Sequence, residues 1–136
     1  GLSGYGNWYF IQAQEERDHA MLMLEYLRNN GMSVTLKAID KPDKEIKSFE
    51  DPLKFGLEHE IYVTSLIHNI YAECVKENDF RTMQFLDWFV KEQGEEEKNA
   101  DDMLKKYDLY GSDPKGLYSL NSELAARVYT APSLTL

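Results

Sequence analysis

Residues 14–20 read QEERDHA. Glu16 and His19 stand three apart, so on a helix a carboxylate and an imidazole share one face, one turn apart. That spacing allows two chemistries: a weak surface pair, or half of a site for a transition-metal cation. Further donors recur downstream at Glu60, Gln93 and Glu96, with Glu15, Glu92 and Glu95 beside them. Whether these residues act together depends on the elements that carry them.

Three long helical segments are expected. The first runs from about Ser3, read as an N-cap, to Asn30, with Gly31 as the stop. The second opens at Asp51-Pro52, acid at the cap and proline at the first helical position, and runs to Lys76 or Glu77. Asn78-Asp79 makes a short turn, and the third segment runs from about Phe80 to Tyr107. A short final helix is expected around Ser122–Val128. Residues 31–49 have mixed polarity and little helical period, and read as an extended connection. About 19 extended residues reach up to ~60 Å, whereas a helix of ~27 residues is ~40 Å long. The connection therefore allows the first two helices to run parallel. The turn at 78–79 makes the second and third antiparallel neighbours.

The polar residues fall where apolar ones belong. A core stripe steps by three and four. On the second helix the stripe is Leu53, Leu57, Glu60, Thr64, Ile67, Tyr71 and Cys74. On the third it is Leu86, Phe89, Gln93, Glu96, Ala100, Met103 and Tyr107, and on the first Gln12, Glu16, His19, Met23 and Leu27. Glu60 precedes position 78 by as many residues as Glu96 follows it, so an antiparallel pair brings them level. Counted from the helix starts, Glu16 reaches a similar depth. Glu16, His19, Glu60, Gln93 and Glu96 are thus expected to converge.

Unpaired buried carboxylates are costly, and like charges repel. No base lies on these stripes at that depth, so protonation or a cation must offset the charge. Carboxylates with one imidazole suit iron or manganese; zinc fits less well without cysteine in the set. Taken singly, each residue has an ordinary reading. Glu-x-x-His is usually surface chemistry, and Glu60 alone reads as a satisfied buried acid. The conjunction on three helices is what points to metal. Glu15, Glu92, Glu95 and Glu97 read either as a solvated acidic face or as a second, looser cation site. His59 and His68 lack ligand-spaced partners and read as structural or surface residues. Cys74 reads as a small core residue. Gly94 sits inside a helix at a cost of ~1 kcal/mol, for which close packing near the site is one reason.

Bulk properties narrow the function. The chain has 136 residues, enough for one domain, residues 1–136, with a core. It carries 24 acids against 15 bases, net −9, which disfavours nucleic acid and anionic membranes as partners and favours cations. Its single cysteine excludes an internal disulfide framework and suits a reducing compartment. No apolar run approaches the ~20 residues that a membrane span needs.

The stretches GLSGYGNW, QEERDHA, EHEIYVT, FLDWFVKEQGEEE and GLYSLNSELAARVY, in that order along the chain, resemble those of non-haem bacterial-type ferritins. The resemblance implies an all-α fold: the ferritin-like four-helix bundle without its N-terminal helix. Three long helices, the long crossover between the first and second, and the short C-terminal helix would remain. The family has another long helix ahead of GLSGYGNW, carrying a first-iron glutamate and a tyrosine, and neither has a counterpart in this sequence. Deletion, processing, or supply by another chain would each account for that. The apolar face left open would be covered by another chain or lost in a rearrangement.

By the same resemblance, Glu16 bridges two irons, His19 ligates the first, Glu60 ligates the second with Gln93 near it, and Glu96 reaches the second or a third. Glu15, Glu92 and Glu95 would complete a third site. No catalytic group beyond the metal ligands is implied. The third helix lacks a second Glu-x-x-His, and no Cys-x-x-Cys is present, which argues against bacterioferritins and rubrerythrin-like peroxidases. Haem is not expected. The implied function is iron storage by a cytoplasmic homo-oligomer, a 24-subunit cage in the family, with ferroxidase activity weakened by the missing helix. The alternatives are a non-catalytic ferritin-derived scaffold and a manganese or mixed-metal oxidase.

Overall fold

The computed structural model describes residues 1–136 and is all-helical: α1 (Ser3–Asn29), α2 (Asp51–Glu77), α3 (Phe80–Tyr110) and α4 (Pro114–Ala125). Residues 33–47 have no regular structure, as their lack of helical period predicts. The chain divides into two units. One is Gly1–Asp43 with Asp113–Leu136; the other is Lys44–Ser112.

In the first unit α4 packs on α1. The two backbones touch at Gly4, where a Cβ would meet the Asn121 carbonyl oxygen at 1.8 Å. Ser3 is not the cap of α1. Leu2 occupies that position without a capping side chain, and Asn121 Oδ1 on α4 accepts from the Gly4 N–H at 2.8 Å. Asn7 returns the favour, its Nδ2 donating to the carbonyls of Leu124 (3.2 Å) and Arg127 (3.0 Å). Each helix thus satisfies main-chain groups that the other's end leaves open. The buried line on α1 is Tyr5, Gln12, His19 and Tyr26, one residue every two turns, with Ile11 beside it.

α4 starts well before the expected Ser122 and stops at Ala125. The local signal for this start is Asp113-Pro114. Asp113 accepts from the Gly116 N–H at 2.8 Å, and the proline opens the helix. α3 runs three residues past Tyr107 to Tyr110.

In the second unit α2 and α3 form an antiparallel hairpin. Asn78 turns the chain in the left-handed region (φ 55°), and Asp79 caps α3 through the Thr82 N–H. Tyr71 donates to Asp87 at 2.9 Å near the turn, and Gln93 meets Glu60 farther from it. Asp51 is the first residue of α2 rather than its cap. Its carboxylate accepts from the N–H groups of Lys47 (2.7 Å) and Ser48 (2.8 Å). The stripes fall as the period predicts: Leu53, Glu60, Ile67 and Cys74 are buried on α2, and Leu86, Phe89, Gln93, Glu96, Ala100 and Met103 on α3. Each large apolar side chain buried there contributes roughly 1.5–3 kcal/mol. His59 and His68 are exposed.

Candidate metal-binding residues

α1 presents Glu16 and His19 toward each other, with Glu16 Oε2 3.5 Å from His19 Nδ1. The imidazole is buried, while the Glu16 side chain is 41% exposed. The other carboxylate oxygen, Oε1, accepts from Gln12 Nε2 at 2.9 Å. The pair is an ion pair when the ring is protonated, and two metal donors when it is neutral.

The second unit buries Glu60, Gln93 and Glu96, at 7%, 4% and 7% exposure. Gln93 Nε2 lies 3.3 Å from each of the Glu60 carbonyl, Glu60 Oε2 and Thr64 Oγ1. With its N–H group committed to α2, the amide oxygen of Gln93 is the atom it can offer a cation. Glu96 lies one turn along α3 from Gln93 on the same buried stripe.

The flanking acids have other partners. Glu15 is paired with Arg127, a residue just past α4. Glu95 is exposed and lies 3.5 Å from Lys91. Glu92 is half-buried. Within neither unit do three or more His, Cys, Asp or Glu side chains stand together as a set able to hold a metal ion. The donors present are nevertheless of the right kind: carboxylate and amide oxygens with one imidazole, and no thiolate, which fits iron. Cys74 lies elsewhere on α2 as a buried free thiol, and burial raises its pKa.

Residue spacing did not reveal Arg127. Its Nη2 donates to Gln12 Oε1 at 2.9 Å and to Glu15, Nη1 lies 3.5 Å from the Trp8 carbonyl, and the guanidinium sits 4.4 Å above the Trp8 ring. Glu15 therefore has a base beside it, one supplied from beyond α4 and not from the helix stripes. Tyr129, two residues on, donates to Asp18. No local pattern marks this, because more than a hundred residues separate the partners.

A long-helix fold carrying Glu-x-x-His and buried acids defines a ferritin-like helical protein. The Ferritin-like domain model matches residues 1–110. The chain is 36% identical over 126 residues to a bacterial non-heme ferritin of Staphylococcus haemolyticus, covering 93% of this chain and 76% of that one. It is 33% identical to a probable bacterial non-heme ferritin-like protein of Haemophilus influenzae, covering 91% and 75%. Among solved structures, a humanized archaeal ferritin superposes with a TM-score of 0.93 at 41% identity, covering 96% of this chain and 79% of that one. An open pore ferritin from Archaeoglobus fulgidus gives 0.92 at 40%, covering 94% and 79%. The chain belongs to the ferritin family, of the bacterial non-haem type. No helix is long and apolar enough to cross a membrane.

Proposed function

We propose that this chain is an iron-storage ferritin subunit that oxidises Fe(II) at a di-iron centre. Glu16 and His19 would take one iron, and Glu60, Gln93 and Glu96 the other. Membership in the ferritin family supports iron storage. The observation that carries the site assignment is burial. Glu60, Glu96 and His19 occupy stripe positions where apolar side chains belong, and cations would offset the charge of the buried acids.

The chemistry follows from charge. Each Fe(II) gives one electron to oxygen or peroxide. Carboxylate donors bind Fe(III) more tightly than Fe(II), which lowers the potential and favours oxidation. Fe(III) then hydrolyses and moves to a mineral, collected by the acidic chain, net −9. Glu15 and Glu95 carry ion pairs, so the reading rests on two irons rather than three. Assembly into a multi-subunit shell is part of the proposal. It is supported by the family and by Tyr62, Leu66 and Ile70, exposed apolar side chains spaced by four along α2.

Oxygen uptake after mixing Fe(II) with the assembled protein tests the reading. The protein is expected to outpace iron alone, and His19→Ala with Glu60→Ala to lose about tenfold or more of that rate. Oxidation no faster than in buffer would overturn it. That result would favour the second reading, a non-catalytic helical scaffold.

A further inference from the structure

Glu15 and Glu16 are adjacent acids with different partners, and the difference traces to one guanidinium. We infer that Arg127 is a positioning residue for Glu16, acting through Gln12, and that it withholds Glu15 from cations. The inference rests on the proposed role of Glu16 as an iron ligand.

A glutamine amide has an acceptor end and a donor end of nearly the same shape, so its neighbours set its orientation. Arg127 can only donate. Its Nη2 faces Gln12 Oε1 at 2.9 Å, which leaves Gln12 Nε2 to face Glu16 Oε1, also at 2.9 Å. Gln12 is buried, so the amide cannot exchange these partners for bulk water at no cost. One oxygen of Glu16 is thereby anchored, and the other is turned toward His19. The chain of donors runs from the segment after α4 to the candidate ligand pair and lies wholly within one unit.

The same Nη2 also bonds Glu15, in a pair whose side chains are only 21% and 15% exposed. The Trp8 ring and carbonyl hold the guanidinium from other sides, and Asn7 pins the carbonyl of Arg127 itself. A cation approaching Glu15 meets a fixed positive charge with little room to swing away. Arg127 thus makes Glu15 a structural acid and leaves Glu16 to bind metal.

Zinc(II), which is redox-silent, is the probe. Its binding is followed by calorimetry on the assembled full chain and located by anomalous scattering in soaked crystals. The parent is expected to hold zinc at Glu16 and His19 and none at Glu15. Arg127→Met should weaken zinc at Glu16 and His19 about tenfold and add a zinc on Glu15, which a further Glu15→Gln removes. Gln12→Leu should weaken the first site similarly while Glu15 stays zinc-free. Should Arg127→Met not fold, Arg127→Lys serves. It keeps a charge for Glu15 but lacks the planar fork, so it should behave as Gln12→Leu does.

Zinc on Glu15 in the parent, or unchanged affinity at Glu16 in both Arg127→Met and Gln12→Leu, overturns the inference. No zinc at Glu16 in the parent overturns the proposed function instead. Metal-free crystals then decide the positioning role: a displaced Glu16 carboxylate in Arg127→Met supports it, and an unmoved one refutes it.

Discussion

Gln93 on α3 donates to both the main-chain carbonyl and the Oε2 of Glu60 on α2, each at 3.3 Å. A single amide therefore fixes the level of the two helices and holds a buried carboxylate in place. The same bond is a packing device and part of the candidate site.

Removing that amide should be costly even without metal. Gln93→Leu deletes the donor that Glu60 and Thr64 share in a buried setting. The expected loss is about 1–3 kcal/mol, read as a lower urea midpoint at fixed protein concentration. A variant as stable as the parent would mean these bonds contribute nothing net.

Gln93→Glu separates metal binding from packing. It sets a second carboxylate against Glu60, and like charges repel in the metal-free protein. Zinc(II) should then raise the unfolding temperature of the variant by more than it raises the parent's. Equal shifts would argue against a cation at Glu60.

Gly4→Ala tests the contact between α1 and α4. The new methyl group would meet main-chain atoms of Asn121 and Ala125, which cannot rotate aside. Overpacking of this kind costs about 1–3 kcal/mol. Faster hydrogen exchange across α4 is the accompanying signature, and unchanged exchange would show that the helices part easily.

Gly94→Ala should do the opposite. A Cβ there meets nothing within 4 Å, so the close packing that its place near the site suggested is absent within the chain. The helix should gain about 0.5–1 kcal/mol, measurable by urea unfolding. Destabilisation, or loss of assembly, would place a neighbouring subunit against this position.

Acid should loosen the start of α3. The Thr82 hydroxyl and N–H hold the Asp79 carboxyl below its ordinary value of 3.8. The unfolded chain therefore takes up that proton at higher pH than the folded one. The cap's stabilisation is complete above the unfolded value and vanishes as pH falls through the folded one. Asp51, lowered by the N–H groups of Lys47 and Ser48, acts in the same window. The melting temperature should fall below about pH 4, and Asp79→Asn should flatten that slope. Tyr129 works at the other end. Its bond to Asp18 raises the phenol above 10.0, so its contribution holds below that pH and is lost as pH rises through the folded value. Tyr129→Phe should remove that alkaline loss.

The sequence by itself determined the three long helices and the buried stripes of α2 and α3. Helical period depends on spacing alone, so Glu60, Gln93 and Glu96 could be placed inside, and His19 with them. Asp-Pro marked the start of α2, and the same pair at 113–114 marks the start of α4 for the same local reason. Only the tertiary structure decided the partners. Asn121, not Ser3, accepts from the Gly4 N–H at the start of α1, and Arg127 reaches Glu15; both bonds join residues more than a hundred positions apart. Local spacing encodes which face of a helix is buried. Which distant side chain arrives at that face depends on how the chain returns to it.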